Sequence, residues 1–207
     1  MDEQSATCFV VDDDASVRRS LSFLIRSLGY RVETFDCADA FLAHKPHRGI
    51  GCIITDIKMP GMSGLDLQDA LGRGDSPLPI IFITGHGDLP MGVKAMKNGA
   101  VDFLAKPFDD EDLIAAIVLA MKKCRNARET SAAASAAQRR IETLSPREHE
   151  VLRHVVSGRL NKQIAFDLGI AEHTVKIHRG RIMKKLEVDS LADLVRLADK
   201  AGITPAP

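Results

Sequence analysis

Five short apolar runs constrain the fold of this 207-residue chain more than any other feature: Cys8 to Val11, Arg31 to Phe35, Cys52 to Thr55, Ile80 to Thr84 and Asp102 to Ala105. After each comes a segment whose apolar residues recur with helical period: Ser16 to Leu28, Asp36 to Ala43, Ser63 to Leu71, Pro90 to Asn98 and Asp109 to Lys123. This alternation predicts an α/β domain, doubly wound about a five-stranded parallel sheet. In such sheets the ligand crevice lies beyond the carboxyl ends of the strands.

The carboxyl ends are where the reactive side chains stand. Asp12, Asp13 and Asp14 follow the first run, Asp56 follows the third, Thr84 ends the fourth, and Lys106 precedes Pro107 after the fifth. Two unit charges about 4 Å apart at an effective dielectric of about 20 interact by about 4 kcal/mol, so clustered acids require a cation. Asp14 has a simpler use as the cap of the following helix. Asp13 and Asp56 read as direct ligands of a hard divalent ion, with Asp12 orienting a bound water. Mg²⁺ suits such a site, because it binds through one or two carboxylates and keeps several waters.

Asp56 is then a candidate phosphoryl acceptor. Donor and acceptor are both anionic, so their repulsion must be neutralised before transfer. Lys106 supplies a mobile point charge for the phosphoryl oxygens, and Pro107 holds it in extended backbone and admits a cis peptide. Thr84 offers a hydroxyl to the same oxygens, from a loop that Gly85 and Gly87 allow to move.

From Cys124 to Arg140 the chain turns to Ala, Ser, Gln and Arg, a linker whose composition favours helix and also suits a tether. Beyond it, Ser145, Pro146 and Glu148 form a strong helix start with a capping box. That helix carries Val151, Leu152, Val155 and Val156 as far as Gly158. Further helices are expected over Lys162 to Leu168, about Glu172 to Leu186, and from Ser190 onward, making a small all-α domain. Val175, Ile182 and Leu186 supply a buried stripe, while Thr174, Lys176, Ile177, Arg181, Lys184 and Lys185 gather on the other side. Two helices joined through Gly169-Ile170-Ala171 read as a helix-turn-helix, and Lys162, at the start of its first helix, is placed to grip a phosphate.

Charge supports this division. Residues 1–120 carry 11 Lys and Arg against 18 Asp and Glu, residues 121–140 carry 6 against 1, and residues 141–207 carry 11 against 9. An acidic front suits a cation and a basic back suits a polyanion. Cys8, Cys37, Cys52 and Cys124 show no metal-ligand spacing, no apolar run reaches membrane-spanning length, and the start lacks the layout of an export signal. A cytoplasmic protein is expected.

In these positions Asp12-Asp13, Asp56, Thr84 and Lys106-Pro107 resemble the receiver domain of bacterial two-component response regulators, over about residues 6–122. Leu144 to Leu152, Asn161-Lys-Gln-Ile-Ala165 and His173 to His178 resemble the LuxR-type helix-turn-helix, over about residues 141–203. Together they resemble the FixJ/NarL class. The resemblance implies a flavodoxin-like receiver (1–122), a linker (123–140) and a DNA-binding domain (141–207). It implies transfer of a phosphoryl group from a sensor histidine kinase to Asp56, with Mg²⁺ held by Asp13, Asp56 and the backbone carbonyl of Lys58, and Asp12 beside them. Thr84 would be drawn inward and Phe103 would rotate as the switch aromatic.

On the DNA side the resemblance implies that Lys176 and Ile177 approach base edges, while Lys162, Thr174, Arg181 and Lys184 contact phosphates of a double-stranded promoter. A homodimer is expected on phosphorylation, with Leu191, Leu194 and Val195 as candidate contacts of the DNA-bound dimer. The chain departs from the pattern at Ala171, where many relatives carry a capping serine or similar residue, and at Gly180, which offers no side chain to a base. Two other readings compete with a phosphorylation-dependent transcription factor that is not an enzyme. One is a phosphatase or phosphotransferase using Asp56 as nucleophile; the other is a relay protein that never touches DNA.

Overall fold

The computed structural model describes residues 6–45, 47, 49–72, 78–85 and 89–206. The chain divides into two compact units, Met1–Arg128 and Glu129–Pro207. The first holds β1 (Thr7–Val11), α1 (Ala15–Ser27), β2 (Arg31–Phe35), α2 (Ala38–Leu42), β3 (Gly51–Asp56), α3 (Gly64–Gly72), β4 (Ile80–Thr84), α4 (Leu89–Lys97), β5 (Asp102–Ala105) and the start of α5 (Asp110–Ile141).

All five strands are parallel, as the strand–helix alternation predicts, and the structure gives their order as β2-β1-β3-β4-β5. Successive side chains of a strand face opposite sides, and here both sides are covered. Cys8, Val10, Cys52, Ile54, Ile81 and Ile83 pack with Leu21 and Ile25 of α1 and Leu113 and Ile117 of α5. Phe9, Val11, Ile53 and Phe82 pack with Phe41 of α2, Leu67 of α3 and Ala95 of α4. Double coverage is why the central strands read as unbroken apolar runs. Burying one such Ile or Phe contributes roughly 1.5–3 kcal/mol.

The strand order reverses between β1 and β3, which are neighbours in the sheet while β2 lies outside β1. At such a switch point the chain leaves adjacent strands in opposite directions, and a crevice opens at their carboxyl ends. Helix α1 starts as expected, with Asp14 as N-cap accepting the Ser16 amide at 2.7 Å. Helix α5 is 32 residues long, so the alanine- and arginine-rich segment 123–140 is helical. The four cysteines are free thiols, and Cys8 and Cys52 are register partners whose sulfurs lie 3.8 Å apart in the core. No helix among the described residues is long and apolar enough to cross a membrane.

The second unit adds α6 (Pro146–Val156), α7 (Asn161–Leu168), α8 (Glu172–Lys185) and α9 (Leu191–Lys200) around Val151, Leu152, Ile164, Val175, Ile182, Leu186 and Leu194. The capping box forms: Ser145 Oγ accepts the Glu148 amide, and Glu148 Oε2 accepts the Ser145 amide at 2.8 Å. Gly169 ends α7 in the left-handed region at φ 62°, where glycine carries no Cβ penalty. Ala171 precedes α8 with no side-chain bond to its first amides.

Candidate functional site

The carboxyl ends of β1, β3 and β5 bring three of the expected residues together. Lys106 Nζ donates to Asp12 Oδ2 at 2.9 Å and to Asp56 Oδ2 at 3.0 Å. Asp12 is 1% exposed and Asp56 9%, so each carboxylate is largely removed from water and depends on that shared cation. Burial works against the Lys106 charge, but the bonds to Asp12 and Asp56 outweigh it and hold the ammonium above the ordinary lysine range. The Asp56 Oδ1 accepts the Lys58 amide at 3.0 Å, which fixes the carboxylate against the start of the following turn.

Asp13 faces solvent beside this pair. Among the described residues no three His, Cys, Asp or Glu side chains close on one point as metal ligands; the Lys106 ammonium stands between the two buried carboxylates instead. The donors are nonetheless of the right kind for Mg²⁺: carboxylate oxygens of Asp12, Asp13 and Asp56 and the main chain of Lys58, all hard oxygens, two of them already converging on a positive charge.

Thr84 is buried at the end of β4, and its carbonyl accepts the Lys106 amide at 2.7 Å. Gly85 follows it on the surface, and the expectation for Gly87 lies outside the described residues. The Lys106–Pro107 peptide is cis. Phe103 is half-buried in β5, and Gly92 of α4 lies against its ring, where an added Cβ would stand 3.3 Å from the ring atoms.

Two contributors to this site carried no signal in the sequence pattern. Gly64 packs its bare Cα against the carbonyl of Asp56. Arg18 reaches back from α1 and donates from Nη1 to the Asp12 carbonyl at 2.6 Å. Neither is marked by periodicity or spacing, because both act on main-chain atoms distant in the turn geometry rather than in composition.

In the helical unit, Lys162, Lys176, Arg181 and Lys184 are exposed, Thr174 is half-buried, and Ile177 is 41% exposed. Gly180 is exposed, with open space where a Cβ would stand. Arg179 Nη1 donates to Asn161 Oδ1 at 2.9 Å, tying α8 to the start of α7, and Arg147 Nη2 donates to the Leu168 carbonyl at 2.7 Å, tying α6 to its end. Two expectations need correcting. Lys185 does not join the cationic face, since its ammonium is drawn to the buried Glu148 carboxylate at 2.7 Å. Leu194 is 2% exposed and belongs to the core, which leaves Leu191 and Val195 as the exposed apolar pair on α9.

Comparison with known proteins agrees with this division. Residues 8–118 match the model of the response regulator receiver domain, and residues 142–198 that of the luxR family of bacterial regulatory proteins. The chain is 49% identical over 199 residues to nodulation protein W of Bradyrhizobium diazoefficiens, covering 96% of this chain and 88% of that protein. It is 44% identical over 195 residues to the transcriptional regulatory protein FixJ of the same organism, covering 94% and 95%. Among solved structures, that of the response regulator StyR superposes with a TM-score of 0.80 at 48% identity, covering 95% of this chain and 99% of that one.

Proposed function

Because the chain belongs to the response regulators that join a receiver domain to a LuxR-type DNA-binding domain, and so is a transcriptional regulator rather than an enzyme, we propose that Asp56 is its phosphoacceptor. The family implies a histidine kinase as partner for the receiver and DNA as partner for the helical unit. The observation that carries the proposal is the convergence of the Asp12 and Asp56 carboxylates on one ammonium at the β1/β3 switch point.

In the reaction a carboxylate oxygen of Asp56 attacks the phosphorus of a phosphohistidine. The P–N bond breaks, its electron pair returns to the ring nitrogen, and the imidazole, already protonated on its other nitrogen, leaves neutral. Mg²⁺, held by Asp13, Asp56 and the Lys58 carbonyl with Asp12 orienting a water, would supply positive charge against the entering carboxylate and the phosphoryl oxygens. Lys106, already bonded to Asp56, follows the new oxygens, and Thr84 donates its hydroxyl to one of them. Phosphorylation adds about 1.5 to 2 negative charges. Phe103, now packed on Gly92, rotates in response, without a hydroxyl to report the change.

The apolar face over that pair suits a dimer. Val93 is 48% and Met96 45% exposed, flanked by Lys97 and Asp102, whose opposite charges permit self-pairing about a two-fold axis. Once dimeric, the protein sets two copies of α8 on half-sites about one helical turn apart. Lys176 and Ile177 then face base edges, and Lys162, Thr174, Arg181 and Lys184 face phosphates. The free cysteines suit the reducing cytoplasm in which such a factor works.

The test is incubation with phosphohistidine donor or acetyl phosphate and Mg²⁺, followed by selection of genomic DNA. One slowly lost phosphoryl group per chain, absent from Asp56→Asn, and promoter fragments enriched only by the phosphorylated wild type are the expected results. DNA recovered equally by Asp56→Asn and wild type would separate DNA binding from this switch.

A further inference from the structure

Asp12 is held at four atoms. Its amide donates to the Phe35 carbonyl at 3.2 Å, its Oδ1 accepts the Asp14 amide at 2.8 Å, its Oδ2 accepts Lys106 Nζ at 2.9 Å, and its carbonyl accepts Arg18 Nη1 at 2.6 Å. The first is strand pairing, the second closes the turn, and the third belongs to the site. The fourth comes from a side chain that none of these requires.

The carbonyl of Asp12 and the amide of Asp13 share one rigid peptide plane. Whatever fixes the Asp12 oxygen therefore fixes the direction in which the chain enters Asp13. Arg18 is well placed for this, because its backbone is anchored one helical turn into α1: its amide donates to the Asp14 carbonyl at 3.1 Å, and its carbonyl accepts Ser22 Oγ at 2.6 Å. Its side chain is half-buried, whereas that of the adjacent Arg19 is exposed.

We infer that Arg18 is a positioning residue for the acid loop. It pins the peptide between Asp12 and Asp13 so that the two carboxylates face a common cation, and it touches neither the cation nor the phosphoryl group. This deepens the proposed function and rests on its assignment of Mg²⁺ to Asp13 and Asp56. Partners that orient metal ligands in this way are worth about 10- to 100-fold in metal affinity.

Charge and positioning predict opposite signs, which makes the inference sharp. Deleting a positive charge near a divalent cation strengthens its binding if only Coulomb forces matter. Deleting the pin weakens it. Calorimetric titration of the unphosphorylated full chain with Mg²⁺ alone, at a temperature where circular dichroism shows each variant folded, decides between them. Arg18→Gln is expected to raise the Mg²⁺ dissociation constant about tenfold, while Arg19→Gln leaves it unchanged or lowers it. Arg18→Lys, which keeps the charge and one donor on a less suitable stem, is expected to fall between, about threefold weaker than wild type.

If Arg18→Gln does not fold, Arg18→Lys against wild type carries the test, with equal affinity overturning the inference. Binding by Arg18→Gln as tight as wild type or tighter overturns the positioning role and leaves the Mg²⁺ site intact. A wild-type chain that fails to bind Mg²⁺ at all overturns both the Mg²⁺ assignment and the role built on it.

Discussion

At Gly64 a side chain has no room. A Cβ there would overlap the carbonyl oxygen of Asp56 and come within 3.1 Å of the Phe82 ring, so the first turn of α3 sits directly on the backbone that presents the candidate acceptor. Gly64→Ala is expected to cost about 1–3 kcal/mol and to slow phosphoryl uptake by shifting Asp56; urea midpoints and acetyl phosphate labelling read the two effects separately. Lys106 predicts a second outcome. Its removal strands two carboxylates, one of them 1% exposed, although the lysine side chain itself is 23% exposed. Breaking a fully buried pair costs about 3–5 kcal/mol, and partial exposure reduces this to roughly 1–3 kcal/mol for Lys106→Ala near neutral pH. The Lys106 pKa is raised above 10.5, so at alkaline pH its contribution persists up to that value and fades as pH climbs through the raised one. Thermal unfolding of both proteins from neutral to alkaline pH should show their difference shrinking only at the alkaline end. Asp56 and Lys106 were legible in the sequence because strand ends and proline mark their places. Gly64 was not, since the approach of one backbone to another leaves no trace in periodicity.

Among the elements, α6 and α8 show what a sequence can and cannot reveal. The capping box of α6 is local, and Ser145, Pro146 and Glu148 announce it within four residues. The bond from Lys185 to Glu148 joins residues 37 apart, and helical period assigned Lys185 to the cationic face instead. Glu148 is buried, which pushes its pKa up, but the Lys185 ammonium and the Ser145 amide and hydroxyl outweigh this and hold it below 4.5. A carboxyl depressed on folding adds stability above its unfolded value and loses it as pH falls through the folded one. The helical unit should thus lose stability as pH drops below 4.5. Glu148→Gln, which keeps the cap acceptor but not the charge, should cost about 1–2 kcal/mol near neutral pH and show a flatter acid limb in thermal scans. At the other helix start, Ala171 leaves the first amides of α8 without a side-chain acceptor. Ala171→Ser is expected to stabilise by about 0.5–1 kcal/mol, seen as a rise in the unfolding midpoint. That vacancy was legible, because capping depends on one residue at one position.

At the scale of the whole molecule, the neutral chain is an acidic receiver joined to a basic back half, with 18 acidic residues against 11 basic ones over residues 1–120. Composition made that asymmetry visible, and it bears on how DNA binding should respond to salt. Each phosphate neutralised lowers the slope of log affinity against log salt by about 0.9. Lys162, Arg181 and Lys184 are the exposed cations of α7 and α8 assigned to phosphates, so one helical unit should give a slope of about −2.7, and a dimer on two half-sites about −5.4. Phosphorylation ought therefore to steepen the salt dependence roughly twofold as well as raise affinity. Arg181→Ala, which leaves the core stripe of Val175, Ile182 and Leu186 untouched, should flatten the slope by about 1 per protomer without changing which promoter is preferred. Lys176→Ala, at a base edge, should instead relax the choice of site. Fluorescence anisotropy across a salt series, with and without acetyl phosphate, measures all of this. A slope that phosphorylation does not alter would mean that the tighter complex is not a dimer gripping twice the number of phosphates, and the coupling between the receiver and α8 would then have to act within one chain.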